Sequence, residues 1–274
     1  MLRLRSTVPW RGRHAVITGG SSGIGLATAA LLARRGATVS LLARGADRLA
    51  AAAAGLRESG ATVHTAVADV SDQAALRQAL TDLEAAAGPC DLLLTSAGLA
   101  RPGHFLELDD AVFREMMEVD YFGTLHAIRA VAPGMVARGH GSIVAVSSGA
   151  ALTGIFGYTA YGPSKFAVRG LMEALRSELA PHGVHVACVY PPDVDTPQLA
   201  DENRYKPAET FAISGTVTPM SAGAVAAKIV AGIERGRFAI YPNAQMAAVA
   251  GLAPPLAAIF RRFVDRQVRK ARTA

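Results

Sequence analysis

Short apolar runs alternate along the chain with longer stretches whose apolar residues recur at helical spacing. Runs rich in β-branched residues at His14–Thr18, Thr38–Ala43, Thr62–Ala68, Asp91–Thr95, Ser142–Ser147 and Val184–Tyr190 predict strands, and Arg237–Tyr241 a weaker seventh. Helical patterns lie between them, at about Gly23–Arg35, Ala46–Ser59, Gln73–Ala86, Asp110–Arg138, Thr159–Ala180 and Ala222–Arg235. Strands that are apolar almost throughout bury both faces of their sheet, which is the habit of parallel sheets covered by helices. The predicted fold class is therefore α/β. It is a doubly wound, mostly parallel sheet of the Rossmann type, about seven strands with helices on both faces, binding ligands at the strands' carboxyl ends.

The alternation breaks once. From Pro191 to Pro219 the chain turns polar and proline-rich. A long irregular segment placed after a strand's carboxyl end reads as a substrate lid rather than a disordered insertion. Residues 14–243 are then one domain carrying a lid at about 191–219. Residues 1–13 form a basic N-terminal arm, and 244–274 an apolar and then basic C-terminal extension. A length of 274 residues and a hydrophobic share of 51% suit one large α/β domain.

Charge and cysteine narrow the function classes. The net charge of +6 sits at the ends: residues 1–13 hold four arginines, and residues 261–272 hold six basic residues against Asp265. Setting those aside leaves 18 basic and 21 acidic residues. A slightly acidic body without a basic stripe argues against a nucleic-acid partner. Cys90 and Cys188 lie in apolar strand runs, so a structural disulfide is not expected and a reducing, cytoplasmic compartment is. Two cysteines without a histidine cluster give no zinc signature, and no metal is expected. The start MLRLRSTVPWRGR lacks the apolar centre of a signal peptide. Ala244–Phe260 is short for a membrane span and is broken by Pro254 and Pro255. The stretch Ile259–Lys270 reads as a basic amphipathic helix. Two readings stay open for it: peripheral contact with a membrane surface, or packing on the domain or a second subunit.

Candidate chemistry begins where the first strand runs into Thr18-Gly19-Gly20-Ser21-Ser22-Gly23-Ile24-Gly25 and a helix follows. Gly19 permits the tight turn, Gly23 lets the backbone approach a pyrophosphate, and Gly25 lets the helix pack closely. The helix start offers N–H groups and a positive dipole end to phosphates. The second strand ends at Arg44, with Arg48 one helical turn later. An NAD site would carry an acid there, whereas two arginines suit the 2′-phosphate of NADPH, which bears about −1.5 to −2 charges. Asp69 ends the third strand, either to accept from the adenine amino group, to cap the next helix, or both. Tyr161 and Lys165 stand four apart, one helical turn on one face. A phenol with a pKa of about 10 exchanges protons poorly at neutral pH. A nearby ammonium is expected to lower that value and make the pair a general acid/base. Ser148, ending the preceding strand, is placed to hold a substrate oxygen.

These motifs together resemble the short-chain dehydrogenase/reductase family from about His14 to Tyr241. The family's glycine motif is matched by Gly19, Gly23 and Gly25, and its catalytic serine, tyrosine and lysine by Ser148, Tyr161 and Lys165. Its motif after the sixth strand is matched by Pro191 and Thr196, the latter a contact to the nicotinamide carboxamide in the family. The resemblance implies a cofactor site of Gly19, Ser21, Ser22, Gly23, Ile24, Gly25, Arg44, Arg48, Asp69, Val70, Ala97, Gly98, Tyr161, Lys165, Pro191, Val194 and Thr196. The string Tyr190-Pro191-Pro192-Asp193-Val194-Asp195-Thr196-Pro197, with Asp201-Glu202-Asn203-Arg204, Lys206-Pro207 and Phe156–Tyr161, is similar to the 3-ketodihydrosphingosine reductases. That likeness implies NADPH-dependent reduction of a long-chain, lipid-like 3-keto base. Two departures stand out. Asp120 replaces the asparagine that supports a water-linked proton relay in the family; an ionised aspartate accepts from a water but does not donate. The family's Asn-Asn-Ala-Gly reads Thr95-Ser96-Ala97-Gly98. Other readings remain open: a reductase of 3-oxoacyl thioesters or steroid-like ketones, or a cofactor-binding relative without turnover. Assembly as a homodimer or homotetramer through Asp110–Arg138 and Thr159–Ala180 is implied by the family alone.

Overall fold

A computed structural model describes residues 10–214 and 218–252, with Arg266 and Lys270 beyond them. The described residues form the strands β1 (His14–Thr18), β2 (Thr38–Ala43), β3 (Val63–Val67), β4 (Leu92–Thr95), β5 (Gly141–Val146), β6 (Val184–Val189), β7 (Val194–Asp195), β8 (Met220–Ser221) and β9 (Ala239–Ile240). Seven of them make one sheet in the order β3-β2-β1-β4-β5-β6-β9, and every pair is parallel. The helices are α1 (Gly23–Arg34), α2 (Ala46–Glu58), α3 (Gln73–Ala87), α4 (Asp110–Met116), α5 (Gly123–Arg138), α6 (Tyr161–Leu179), α7 (Pro197–Glu202), α8 (Ala208–Ser214) and α9 (Ala222–Glu234).

The period-2 alternation of each strand sorts its residues into two cores. Ala15 and Ile17 of β1, Val39 and Leu41 of β2, and Leu92 and Leu94 of β4 face one side, where α1, α2 and α9 supply Leu32, Leu49, Leu56, Ile229 and Ile233. Val16, Leu42, Leu93, Ile143 and Cys188 face the other, against Leu76, Leu80 and Leu83 of α3, Ile128 and Val131 of α5, and Val168 and Met172 of α6. Strands apolar on both faces therefore sit at the centre, and β3, alternating between buried and open positions, forms an edge. The strand order reverses between β1 and β4. A crevice opens there, outside the carboxyl ends of the strands.

Four features differ from the sequence reading. The long helix expected over Asp110–Arg138 is divided: Met117–Phe122 widens into a π-helical turn that places Asp120 inside the fold. The lid is more ordered than its composition suggested. It holds α7 and α8, and β7 pairs with β8 beyond it. Asp69 does not cap α3; Asp72 does, accepting from the N–H groups of Ala74 and Ala75 at 3.0 Å. The N-terminal arm is not wholly a solvated tail either. Trp10 is buried in the core that holds Ala15, Ile17 and Leu32 and donates to Glu234 at 2.9 Å, and Arg13 pairs with Asp91 at 2.9 Å. Among the described residues no helix is long and apolar enough to cross a membrane. The basic stretch Ile259–Lys270 lies outside the described residues except for Arg266 and Lys270.

Candidate active site

A cleft of about 870 Å³ runs along the carboxyl ends of the strands. At one end the turn after β1 forms its floor. Gly19 has φ +68° and Gly23 φ +53°, both in the left-handed region that only glycine adopts freely. A Cβ on Gly19 would lie 2.6 Å from the Ala97 nitrogen, so this turn is pressed against the end of β4 at the switch point. A Cβ on Gly25 would meet the Gly19 carbonyl oxygen at 2.4 Å, so Gly25 closes the turn on itself as well as on Ile17 of β1. Ser22, at the start of α1, makes no capping bond with its side chain, and Ser21, Ser22, Gly23 and Ile24 all line the cleft.

Arg44 and Arg48 line the same end. The Arg44 side chain is 59% exposed and lies 3.4 Å from Asp69. Asp69 also accepts from the backbone N–H and hydroxyl of Ser71, at 2.9 and 2.7 Å. Burial pushes the Asp69 carboxyl up, but the Ser71 bonds and Arg44 outweigh it and hold the group below its ordinary value. Val70, Ala97, Gly98, Pro191, Val194 and Thr196 line the cleft as well. The Pro191 carbonyl accepts from the Gly149 N–H at 2.8 Å, which ties the lid's first residue to the loop of Ser148. Thr196 caps α7, and its methyl would be 3.0 Å from a Cβ on Gly23. Gly25 and Asp69 support this wall rather than line it, and Asp120 lies beneath it.

The middle of the cleft holds Ser148, Tyr161 and Lys165. Tyr161 opens α6, so Lys165 follows one turn later on the same face. Ser148 lies two residues past β5 and caps the short 3-10 turn Gly149–Ala151. Lys165 is buried, with its Nζ 5.6 Å from the Tyr161 ring centre and 3.5 Å from the Val146 carbonyl oxygen. Its nearest charge is Asp120 Oδ1 at 3.2 Å. Asp120 is fully buried; it accepts from the Leu99 N–H at 3.1 Å and from the Ser164 hydroxyl at 2.9 Å. Burial raises its carboxyl from the ordinary range, against the pull of Lys165, Ser164 and Leu99. The aspartate thus grips the lysine directly.

That contact corrects the expected effect of Lys165 on Tyr161. Burial first, and the Asp120 charge second, hold the phenol well above its ordinary value, while a hydrogen bond with Ser148 acts the other way. The Lys165 ammonium lies 3.2 Å from the Asp120 carboxyl, so the Tyr-Lys spacing alone does not set the phenol's value. Tyr161 in this environment is a protonated acid.

The cleft also takes in side chains of the expected lid, and others the sequence reading assigned no role. Ile155, Leu199, Ile213, Met246 and Val249 give it an apolar lining. Met246 and Val249 belong to the helical stretch 244–252, and the Met246 sulfur would lie 2.9 Å from a Cβ on Gly149. Beside them Glu202 accepts from the Tyr158 hydroxyl and lies 3.0 Å from Lys206 Nζ, which also reaches Asp193 at 3.3 Å. Burial raises both the Tyr158 phenol and the Glu202 carboxyl. The i,i+4 spacing of Glu202 and Lys206 was visible in the chain, but nothing in one dimension joined it to Tyr158 and Asp193. Ser164 was also missed. Its signal was only a hydroxyl beside Lys165.

The short chain dehydrogenase family model matches residues 13–207. A 3-ketodihydrosphingosine reductase from Dictyostelium discoideum is 37% identical over 273 residues, covering 93% of this chain and 82% of that protein. One from Mus musculus is 41% identical over 232 residues, covering 83% and 70%. Among solved structures, a short chain dehydrogenase/reductase from Burkholderia phymatum in complex with NAD superposes with a TM-score of 0.83 at 27% identity, over 92% of this chain and 96% of that one. A short-chain dehydrogenase from Sphingobium yanoikuyae in complex with NADPH gives 0.77 at 29% identity, over 91% and 95%.

Proposed function

This chain belongs to the short chain dehydrogenase family, and we propose that it reduces the ketone of a long-chain 3-keto sphingoid base with NADPH. The observation that carries this reading is the continuity of one cleft. One cleft is lined by the glycine turn and the arginines, by Ser148, Tyr161 and Lys165, and by apolar side chains. The names of the similar reductases point to the same substrate class.

The residues present fit a dinucleotide. The turn Gly19–Gly25 is a floor that side chains would fill, and α1 begins on it. Arg44 and Arg48 line the cleft and would hold a 2′-phosphate, and no acid occupies the end of β2. Bound there, NADPH would supply a hydride to the carbonyl carbon. Tyr161 gives its proton to the carbonyl oxygen, so the ketone becomes a secondary alcohol. Ser148 holds that oxygen while charge develops on it. Lys165 steadies the phenolate left on Tyr161, and Asp120 fixes Lys165 in place. The apolar walls of Ile155, Leu199, Ile213, Met246 and Val249 shelter an alkyl chain from water.

The test is NADPH oxidation with 3-ketosphinganine in detergent micelles, beside an acetoacetyl thioester. Turnover of the first well above the second is expected; the reverse order defeats this reading. Arg44→Asp tests the cofactor. Charge-assisted bonds of about 1.5–3 kcal/mol imply NADPH affinity lower by roughly tenfold or more, with NADH little changed. Equal weakening of both would remove Arg44 from the 2′-phosphate. We propose further that the chain assembles with copies of itself through α5 and α6, where Phe166 stands 41% exposed, and that the basic stretch Ile259–Lys270 meets anionic membrane surfaces.

A further inference from the structure

The lid carries a charge cluster that proton and hydride delivery do not use. Glu202 on α7 and Asp193 after the Pro191-Pro192 pair both line the cleft. Both reach one ammonium, that of Lys206, at 3.0 and 3.3 Å. The Lys206 side chain is 2% exposed, so it is committed to this pair. The neighbouring acid on the lid, Asp201, has its own partner in Arg204 at 3.5 Å. Two carboxylates on one ammonium leave one negative charge over on the wall of a cleft, where Glu202 is largely out of water. A buried charge without an opposite charge is costly, and a cation entering the cleft would offset that cost.

The surplus charge stands next to the reacting atoms. The Tyr158 hydroxyl donates to Glu202, and the Tyr158 ring lies 5.7 Å from the Tyr161 ring, centre to centre. The bonds from Tyr158 and Lys206 both fall on Oε1 of Glu202, so its second oxygen is available to a cation in the cleft. The charges of Glu202 and Asp193 are both felt at the Tyr161 hydroxyl, which they help to keep protonated. In a 3-keto sphingoid base the protonated amine is borne by the carbon next to the carbonyl. When Tyr161 binds the carbonyl oxygen, that amine is held in the same corner of the cleft.

Resting on the function proposed above, we propose that Glu202, with Asp193 beside it, binds the ammonium of the substrate and selects an α-ammonium ketone over a neutral ketone of equal chain length. Tyr158 and Lys206 are positioning residues that aim the carboxylate.

The experiment compares kcat/KM for 3-ketosphinganine with that for the same chain carrying hydrogen in place of the amine, in wild type and in Glu202→Gln. The wild type is expected to favour the amine by roughly 10- to 100-fold, the worth of one charge-assisted contact, and the variant to lose most of that ratio. A purely structural Glu202 would lower both substrates together and leave the ratio standing, which overturns the proposal. So does a wild type that reduces both ketones equally well. Should the Gln chain fail to fold, Asp193→Asn, at a side chain 36% exposed, gives the same readout and is expected to move the ratio in the same direction. Failure of the underlying function is separate and is read first. A wild type that reduces the neutral ketone but not 3-ketosphinganine rejects the sphingoid reading, and this inference with it.

Discussion

Tyr161 sits among charged neighbours with opposed effects. Burial and Asp120 keep its proton on, Ser148 favours the phenolate, and Lys165 stands near the ring while paired with Asp120. Tyr161→Phe is expected to cost ~10²–10⁴-fold in turnover, the range of one general acid, while NADPH still binds as followed by its fluorescence. Near-wild-type turnover would remove Tyr161 from the mechanism. Asp120→Asn gives a sharper test, because it changes charge and little else. The amide still accepts from the Leu99 N–H and remains in reach of Ser164. With the carboxylate gone, the second-largest influence raising the Tyr161 pKa disappears, so the phenol ionises at lower pH. Under the proposed mechanism, reduction needs the protonated phenol. The alkaline limb of the kcat/KM profile therefore moves to lower pH, with activity at pH 7 equal or higher. An unmoved limb would mean that the Asp120 charge does not reach the proton donor.

At the scale of elements, what matters is how closely backbone meets backbone. Gly25 shows this: a methyl group there would sit 2.4 Å from the Gly19 carbonyl oxygen, which has no room to yield. Gly25→Ala should lower NADPH affinity by roughly tenfold or more and lower the melting temperature. Gly55, exposed on α2 with nothing within 4 Å of an added Cβ, is the control. Gly55→Ala should stabilise by about 0.5–1 kcal/mol and raise the melting temperature by about 2 °C. Equal shifts in the two would show that crowding does not explain Gly25. This contrast also marks how far the chain could be read in one dimension. The strands, the main helices and the Tyr161–Lys165 turn were legible because each follows from a local period or spacing. The π-helical turn around Asp120 was not, since the local pattern there is helical throughout and the partner it brings Asp120 to, Lys165, lies forty-five residues on. Nor was the cap of α3, where Asp69 and Asp72 offered the same signal and only the fold told them apart. The Tyr158–Glu202–Lys206–Asp193 cluster needed the lid to fold back on the body before it existed at all.

For the whole molecule, the sheet gathers every loop of chemical interest at one edge, and the C-terminal part of the chain returns there. Gln245, Met246 and Val249 line the cleft. The sequence beyond them carries one of two basic ends, and the body between those ends is slightly acidic. Ile259, Phe260, Phe263, Val264 and Val268 recur near helical spacing, with arginines over most of the rest. On the proposed membrane contact, such a segment would lie in a lipid interface with its apolar side down, and each cation near an anionic surface would add about 1 kcal/mol, less in salt. A cleft opening beside that surface would meet a long-chain amphiphile where it is concentrated. Full-length protein should therefore co-sediment with anionic vesicles at low salt and be released at high salt. A chain ending at Pro255 keeps Met246 and Val249, and should stay in the supernatant while still binding NADPH. Full-length protein that remains in the supernatant at low salt defeats membrane docking. A truncated chain that no longer folds or assembles would assign the segment to packing on the protein itself.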